Sequence, residues 1–229
     1  MRTEKKTTDG DLQYPTRPSP VRIEAGTLAL DGNLTIPPDA KGLVVFAHGS
    51  GSSHKSPRNR FVASQLNAHG LASLLADLLT PEEEDIERES RHLRFNVPLL
   101  TDRLESITKW VGEDSRTNGL NIGYFGASTG AAAALVAAAH HPRSVRAVVS
   151  RGGRPDLAGD FLPLVKAPTL LIVGTRDQEV LRLNRESLAQ LNPKSVMQVV
   201  PGATHLFEEP GALEQVSELA AAWFTTHIS

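Results

Sequence analysis

The chain has 229 residues, 40% hydrophobic and 22% charged, enough for one folded domain with a full core. Lys and Arg total 24 against 26 Asp and Glu, and the formal net charge of -2 gives no electrostatic ground for nucleic acid or an anionic membrane as partner. The absence of cysteine excludes disulfides, thiolate metal sites and a cysteine nucleophile, and suits a reducing compartment.

Residues 1–20 are polar and proline-punctuated and read as a flexible tail without the apolar core of a secretory signal. Residues 21–229 read as a single domain. Its longest apolar stretch, Ala131 to Ala139, is too short to span a bilayer, so a cytoplasmic protein with no membrane partner is predicted. Val21 to Leu30 and Leu34 to Ile36 suggest two strands joined through the Asp31-Gly32 turn signal. Gly42 to Ala47 is an apolar run suited to a strand buried on both faces, and it leads into His48-Gly49-Ser50-Gly51. Asn59 to His69 predicts a helix closed by Gly70, and Leu71 to Leu79 the next strand. The charged segment Thr80 to Asn96 reads as a solvated surface excursion. Leu99, Leu100, Leu104, Ile107 and Val111 share a helical stripe.

Strand and helix signals then alternate to the end. Strands are expected at Asn121 to Phe125, Val145 to Ser150, Thr169 to Val173 and Ser195 to Val200, with helices beginning near Ala131, Val180 and Leu213. This alternation predicts an α/β fold with a mostly parallel central sheet and helices on both faces. About 18 residues separate the strand ending at Ser150 from the one starting near Thr169, too few for a large cap domain in that connection.

Gly126-Ala127-Ser128-Thr129-Gly130 fits G-x-S-x-G between a predicted strand and a predicted helix, the context of a nucleophile elbow. A serine hydroxyl needs a base. His205, in the loop after the last strand, is the candidate, because the chain order Ser, acid, His places the base last. His69, His140 and His141 look like helix-end residues, and His54 and His92 fall in polar loops and are expected to be solvent-exposed. The acid should follow a strand end, and Asp177 does; Glu179, Asp156 and Asp160 are competitors. The oxyanion of an acyl transfer needs backbone donors, for which Thr129 and Ser50 are the candidates, with Gly51 as the alternative to Ser50. His48 is expected to be a structural hydrogen-bonding residue.

Arg58, Arg60, Arg151, Arg154 and Arg176 should lie near the same edge of the sheet. Gly51, Arg58 and Arg151 are candidate substrate contacts, the arginines for a carboxylate or phosphate. The plainer expectation is that these arginines pair with acids such as Asp156 or the Glu82–Asp85 run. No metal site, dinucleotide fingerprint, nucleic-acid motif or cofactor requirement is read from the chain.

The runs from His48 to Arg60, G-A-S-T-G, Ser150 to Asp156 and Pro201 to Gly211 resemble the α/β-hydrolase superfamily and, within it, dienelactone hydrolase-like proteins. The likeness extends from about Val21 to Phe224 and points to a bacterial subgroup that also occurs fused to phosphoribosyltransferase-like domains, none of which is expected within these 229 residues. It implies the α/β-hydrolase fold and the Ser128–Asp177–His205 assignment. True dienelactone hydrolases carry cysteine in the elbow, whereas this chain has serine, so hydrolysis of a simple small-molecule ester is the implied reaction, and the lack of a large lid predicts an open, fairly shallow pocket that favours short acyl chains. A thioesterase, lactonase or acyltransferase using the same residues, or a non-catalytic ligand- or partner-binding module, stays open. A monomer or homodimer is expected.

Overall fold

A computed structural model describes residues 17–49, 51–90 and 92–229. Eight strands form one sheet in the order β1-β2-β4-β3-β5-β6-β7-β8. They are β1 (Ser19–Ala25), β2 (Leu28–Thr35), β3 (Gly42–Ala47), β4 (Ala72–Ala76), β5 (Asn121–Ala127), β6 (Val145–Arg151), β7 (Thr169–Gly174) and β8 (Val196–Val200). Only β1–β2 and β2–β4 pair antiparallel; β4 through β8 are parallel. The opening tail expected over residues 1–20 lies mostly outside the described residues, and β1 already begins at Ser19.

The hairpin turn falls at Gly26-Thr27 rather than at Asp31-Gly32, which sits inside β2. Gly26 adopts φ +65°, the left-handed conformation a tight turn requires. Gly32 instead serves the sheet: a side chain there would meet the carbonyl of Leu75 on β4 at 2.8 Å. Tertiary packing thus overrides a local turn signal.

The central strands are buried on both faces because helices cover both. Residues of one parity, Leu43, Val45, Leu74, Tyr124, Val148 and Leu171, pack against helix α3 (Val97–Glu113) and helix α4 (Thr129–His140). Those of the other parity, Val44, Phe46, Phe125, Val149 and Ile172, pack against helix α1 (Pro57–Ala68) and helix α6 (Ala212–Ile228). Helix α5 (Gln178–Leu188) lies against β7. The alanine run of α4 follows from its position. Ala131 through Ala138 are all buried, and small side chains let this enclosed helix approach the sheet. The buried Tyr124 hydroxyl finds its partner in Thr108 Oγ1 at 2.6 Å, and burial raises its pKa.

The charged segment after β4 is more ordered than a surface excursion. Pro81–Ser90 forms helix α2, followed by a 3-10 turn at Leu93–Phe95. Thr80 and Glu83 close a capping box: the Thr80 N–H donates to Glu83 Oε2 at 2.9 Å and the Glu83 N–H to Thr80 Oγ1 at 3.3 Å. Glu87 is buried and accepts from the Leu93 N–H at 2.8 Å. A pair of 3-10 turns, Pro155–Leu164, fills the connection from β6 to β7, and the described residues form no large cap domain.

Candidate active site

Chemistry-bearing residues collect at the carboxyl ends of the parallel strands, where open α/β sheets place their sites. Ser128 links β5 to α4 with φ 51° and ψ -124°, a strained conformation for a residue with a side chain. The flanking glycines are sterically required. A Cβ on Gly126 would overlap the backbone of Ala131, and one on Gly130 would overlap the carbonyl oxygens of Ala47 and His48. The strained turn is pinned from the next strand. The Ser128 N–H donates to the Arg151 carbonyl at 3.4 Å, and the Ser128 carbonyl accepts from the Arg154 N–H at 3.0 Å. Thr129, buried, opens α4 immediately after it.

Asp177 follows β7 and His205 follows β8, and parallel pairing of these strands brings the two together. His205 Nδ1 and Asp177 Oδ2 are 2.6 Å apart, with 39% and 16% of the side chains exposed. Of the competing acids, Asp160 is exposed in the connection after β6, and the other two are engaged elsewhere. Glu179 bonds Arg182 on the surface at 2.8 Å, and Asp156 receives Arg154 Nε and Nη2 at 2.8 and 2.7 Å. Gly152, one residue beyond Arg151, abuts His205 so closely that a Cβ there would lie 3.5 Å from Nδ1. Ser128 and His205 are thus both neighbours of the Arg151-Gly152 turn. Among the described residues no hydrogen bond joins the Ser128 hydroxyl to the imidazole; such bonds are often long before substrate arrives.

Ser50 lies outside the described residues. Gly51, the alternative donor, is exposed and lines a recess with His48, Gly49, Leu79, Glu84, Glu87, Leu100 and Thr129. The recess holds about 10 Å³, room for a single water. His48 ties this loop to the end of β4. Its Nε2 accepts from the Leu78 N–H at 3.0 Å, so Nδ1 carries the proton and donates to the Gly49 carbonyl at 2.9 Å. Burial lowers the His48 pKa and keeps the ring neutral. His54 is not solvent-exposed as expected: its side chain is 11% exposed, with Nδ1 2.7 Å from Asp77 Oδ2 and its N–H on Asp77 Oδ1 at 2.6 Å. That pairing joins residues 23 apart and carries no local signal, whereas α2, which contributes Glu84 and Glu87 to the recess and which the sequence reading missed, does carry one in the Thr80–Glu83 capping pattern and Pro81.

The arginines divide. Arg154 pairs with Asp156, and Arg58 Nη1 with Glu208 at 2.9 Å. Arg151 is 8% exposed and departs from the pairing expectation: among the described residues its guanidinium has no hydrogen bond or acidic partner, because Arg154 already holds Asp156. Among the described residues, no group of three or more acids and histidines is gathered to hold a metal ion, and no helix is long and apolar enough to cross a membrane.

Comparison with known proteins accords with this architecture. The dienelactone hydrolase family model matches residues 30–226. Over 220 residues the chain is 56% identical to proteins of Mycobacterium tuberculosis, strains CDC 1551 / Oshkosh and ATCC 25618 / H37Rv, that bear a provisional phosphoribosyl transferase name. The match covers 96% of this chain and 49% of theirs, so the chain spans about half the length of the curated relatives it matches. The crystal structure of a dienelactone hydrolase from Anabaena variabilis is 54% identical and overlays with a TM-score of 0.92, covering 94% of this chain and 100% of that one. Est1E from Butyrivibrio proteoclasticus shares the fold at 17% identity and a TM-score of 0.75, over 90% and 98% of the two chains. With a family match that runs from the second strand into the last helix, and a relative of more than half identity overlaying nearly the whole fold, the chain belongs to the dienelactone hydrolase family, hydrolases of the α/β-hydrolase fold.

Proposed function

We propose that the protein hydrolyses small carboxylic esters with short acyl chains through an acyl-enzyme on Ser128. The observation that carries this reading is the 2.6 Å Asp177–His205 pair beside a positive-φ serine in a strand-to-helix elbow. His205 Nε2 takes the Ser128 hydroxyl proton as Oγ attacks the ester carbonyl carbon. The negative charge moves to the carbonyl oxygen, and the backbone N–H groups of Thr129 and of Ser50, with Gly51 as the alternative to Ser50, stabilise it. Collapse of the tetrahedral species breaks the bond to the alkoxy oxygen, which leaves with the proton from His205. Water, deprotonated by the same imidazole, then attacks the acyl-serine and releases the carboxylic acid. Asp177 holds the imidazole in the required tautomer and stabilises its protonated form.

The connection from β6 to β7 holds only short 3-10 turns, and a site without a large cap over it favours short acyl chains. A serine where true dienelactone hydrolases carry cysteine favours ordinary esters over the family's namesake substrate. The transferase name of the mycobacterial relatives belongs to chains about twice this length and does not decide the chemistry of the shared half. A cytoplasmic setting fits a chain without cysteine.

The test is labelling with a fluorophosphonate probe together with turnover of p-nitrophenyl esters from acetate to palmitate. The expected result is labelling of the wild type, none of Ser128→Ala, a fall in kcat of about 10⁴–10⁶ in that variant, and a preference for acetate and butyrate. Labelling that survives Ser128→Ala, or rates that climb steadily to palmitate, would overturn the reading.

A further inference from the structure

The connection from β3 to α1 runs directly against the nucleophile. A Cβ on Gly49 would lie 2.9 Å from Ser128 Cβ, and one on Gly130 would overlap the carbonyl oxygens of Ala47 and His48. Lying between a strand and a helix, this loop takes its geometry from tethers, and two of them end on consecutive residues after β4. At the first, His48 Nε2 accepts from the Leu78 N–H at 3.0 Å. At the second, Asp77 grips His54 twice. Its Oδ1 accepts from the His54 N–H at 2.6 Å, and its Oδ2 lies 2.7 Å from His54 Nδ1. A carboxylate only accepts hydrogen bonds, so Nδ1 is the protonated nitrogen of that ring. Asp77 is fixed in turn, because its N–H donates to the Asp31 carbonyl on β2 at 2.9 Å.

Between the tethers the chain turns back on itself. The Ser52 N–H donates to the Gly49 carbonyl at 3.2 Å, and the same carbonyl accepts from His48 Nδ1 at 2.9 Å. A trans peptide sets its N–H opposite its C=O, so whatever holds this carbonyl also aims the amide that follows it. The Asp77–His54 pair has no place in the triad, and α1 does not need it. That helix has its own cap in Ser56, whose Oγ accepts from the Asn59 N–H at 3.4 Å, and its own proline at the first turn. With 11% of the His54 side chain and 20% of the Asp77 side chain exposed, the pair is largely removed from water, where a charge-assisted bond is worth more than a surface ion pair.

We infer that Asp77, acting through His54, is a positioning residue for the oxyanion loop. It holds the far end of the 49–53 span, so that the loop's N–H groups stay fixed against Ser128 while charge develops on the substrate oxygen. Oxyanion donors are effective because they need no reorganisation at the moment of reaction, and a loop freed at one end has to be ordered again in each cycle. The role rests on the ester-hydrolase reading above.

The experiment measures kcat and KM for p-nitrophenyl acetate in Asp77→Ala, Asp77→Asn and His54→Ala, beside thermal melts. Asp77→Ala is expected to lose about 10–100-fold in kcat, the worth of a charge-assisted bond, with KM within about threefold of wild type. His54→Ala keeps the backbone N–H on Asp77 and should lose less, about three- to tenfold. Asp77→Asn keeps an oxygen for that N–H and should recover at least about threefold over the alanine variant. If alanine at position 77 prevents folding, His54→Ala and Asp77→Asn carry the comparison.

A trifluoromethyl ketone separates positioning from a purely structural role. Ser128 Oγ adds to its carbonyl carbon, the hydroxyl proton passes to His205, and the carbonyl electron pair becomes an oxyanion where the ester's would form. Across the variants its Ki should rise by the factor by which kcat/KM falls, a slope of about one on logarithmic axes. A Ki that stays at the wild-type value while kcat falls would overturn the inference. So would a kcat within about twofold of wild type in every variant that folds, whatever its melting midpoint. A wild type that neither turns over esters nor takes the fluorophosphonate label would fault the hydrolase reading and this role with it, whereas an active wild type with unaffected variants faults the role alone.

Discussion

Gly49 is the most direct probe of how the oxyanion loop meets the nucleophile. A Cβ there would lie 2.9 Å from Ser128 Cβ and 3.0 Å from the Ala127 carbonyl oxygen. Its φ lies outside the left-handed region, so Gly49→Ala tests space alone and not backbone strain. Carbon atoms sit comfortably at about 3.5–4.0 Å, so the loop or the serine must yield by roughly 0.6–1 Å. A displacement of about 1 Å between reacting groups costs about 10²-fold in rate, or about 2.7 kcal/mol of barrier. Overpacking costs about 1–3 kcal/mol of stability, and each kcal/mol moves the melting midpoint of a domain this size by about 2–4 °C. The assay is kcat and KM for p-nitrophenyl acetate beside a thermal melt. The expected variant folds, melts a few degrees lower and turns over about a hundredfold more slowly. A kcat within twofold of wild type would refute the packing of this loop on Ser128.

Asp177→Asn should lower kcat about 10³–10⁴-fold with little change in KM, while Glu179→Gln, whose carboxylate pairs with Arg182 on the surface, should stay near wild type; p-nitrophenyl acetate kinetics distinguish the two. Burial holds His48 below its ordinary 6.5, so the unfolded chain binds the proton first as pH falls. Stability is therefore complete above about pH 6.5 and declines below it, by up to about 1.4 kcal/mol per pH unit, and urea midpoints at about pH 7.5 and 5.5 should converge in His48→Gln. Thr108→Val strands the buried Tyr124 hydroxyl and should cost about 1–3 kcal/mol by denaturant unfolding without altering KM.

The elbow was legible because its determinants are local: an apolar strand, glycines where neighbouring backbone leaves no space, and an alanine run beyond. The order serine, aspartate, histidine could be matched to strand ends for the same reason. The hairpin turn was misplaced because Gly32 answers to β4, a neighbour that no window around Asp31 contains. The charged run after β4 hid a helix because its buried face is a single glutamate, Glu87, and not an apolar stripe. The His54–Asp77 pair and the isolation of Arg151 depend on which distant groups already have partners. From sequence, Asp156 stands equally available to Arg151 and Arg154, and only the folded chain shows which one takes it.

The sheet order gives the two proposed reacting groups unequal footing. Ser128 rises from the middle of the sheet, but the loop bearing His205 hangs from β8, a marginal strand bonded on one side only and alternately wetted along its length. Such margins detach first on warming. Esterase turnover should accordingly fade several degrees below the far-ultraviolet dichroism transition, and a clamp fastening β8 to β7 should bring the two curves together.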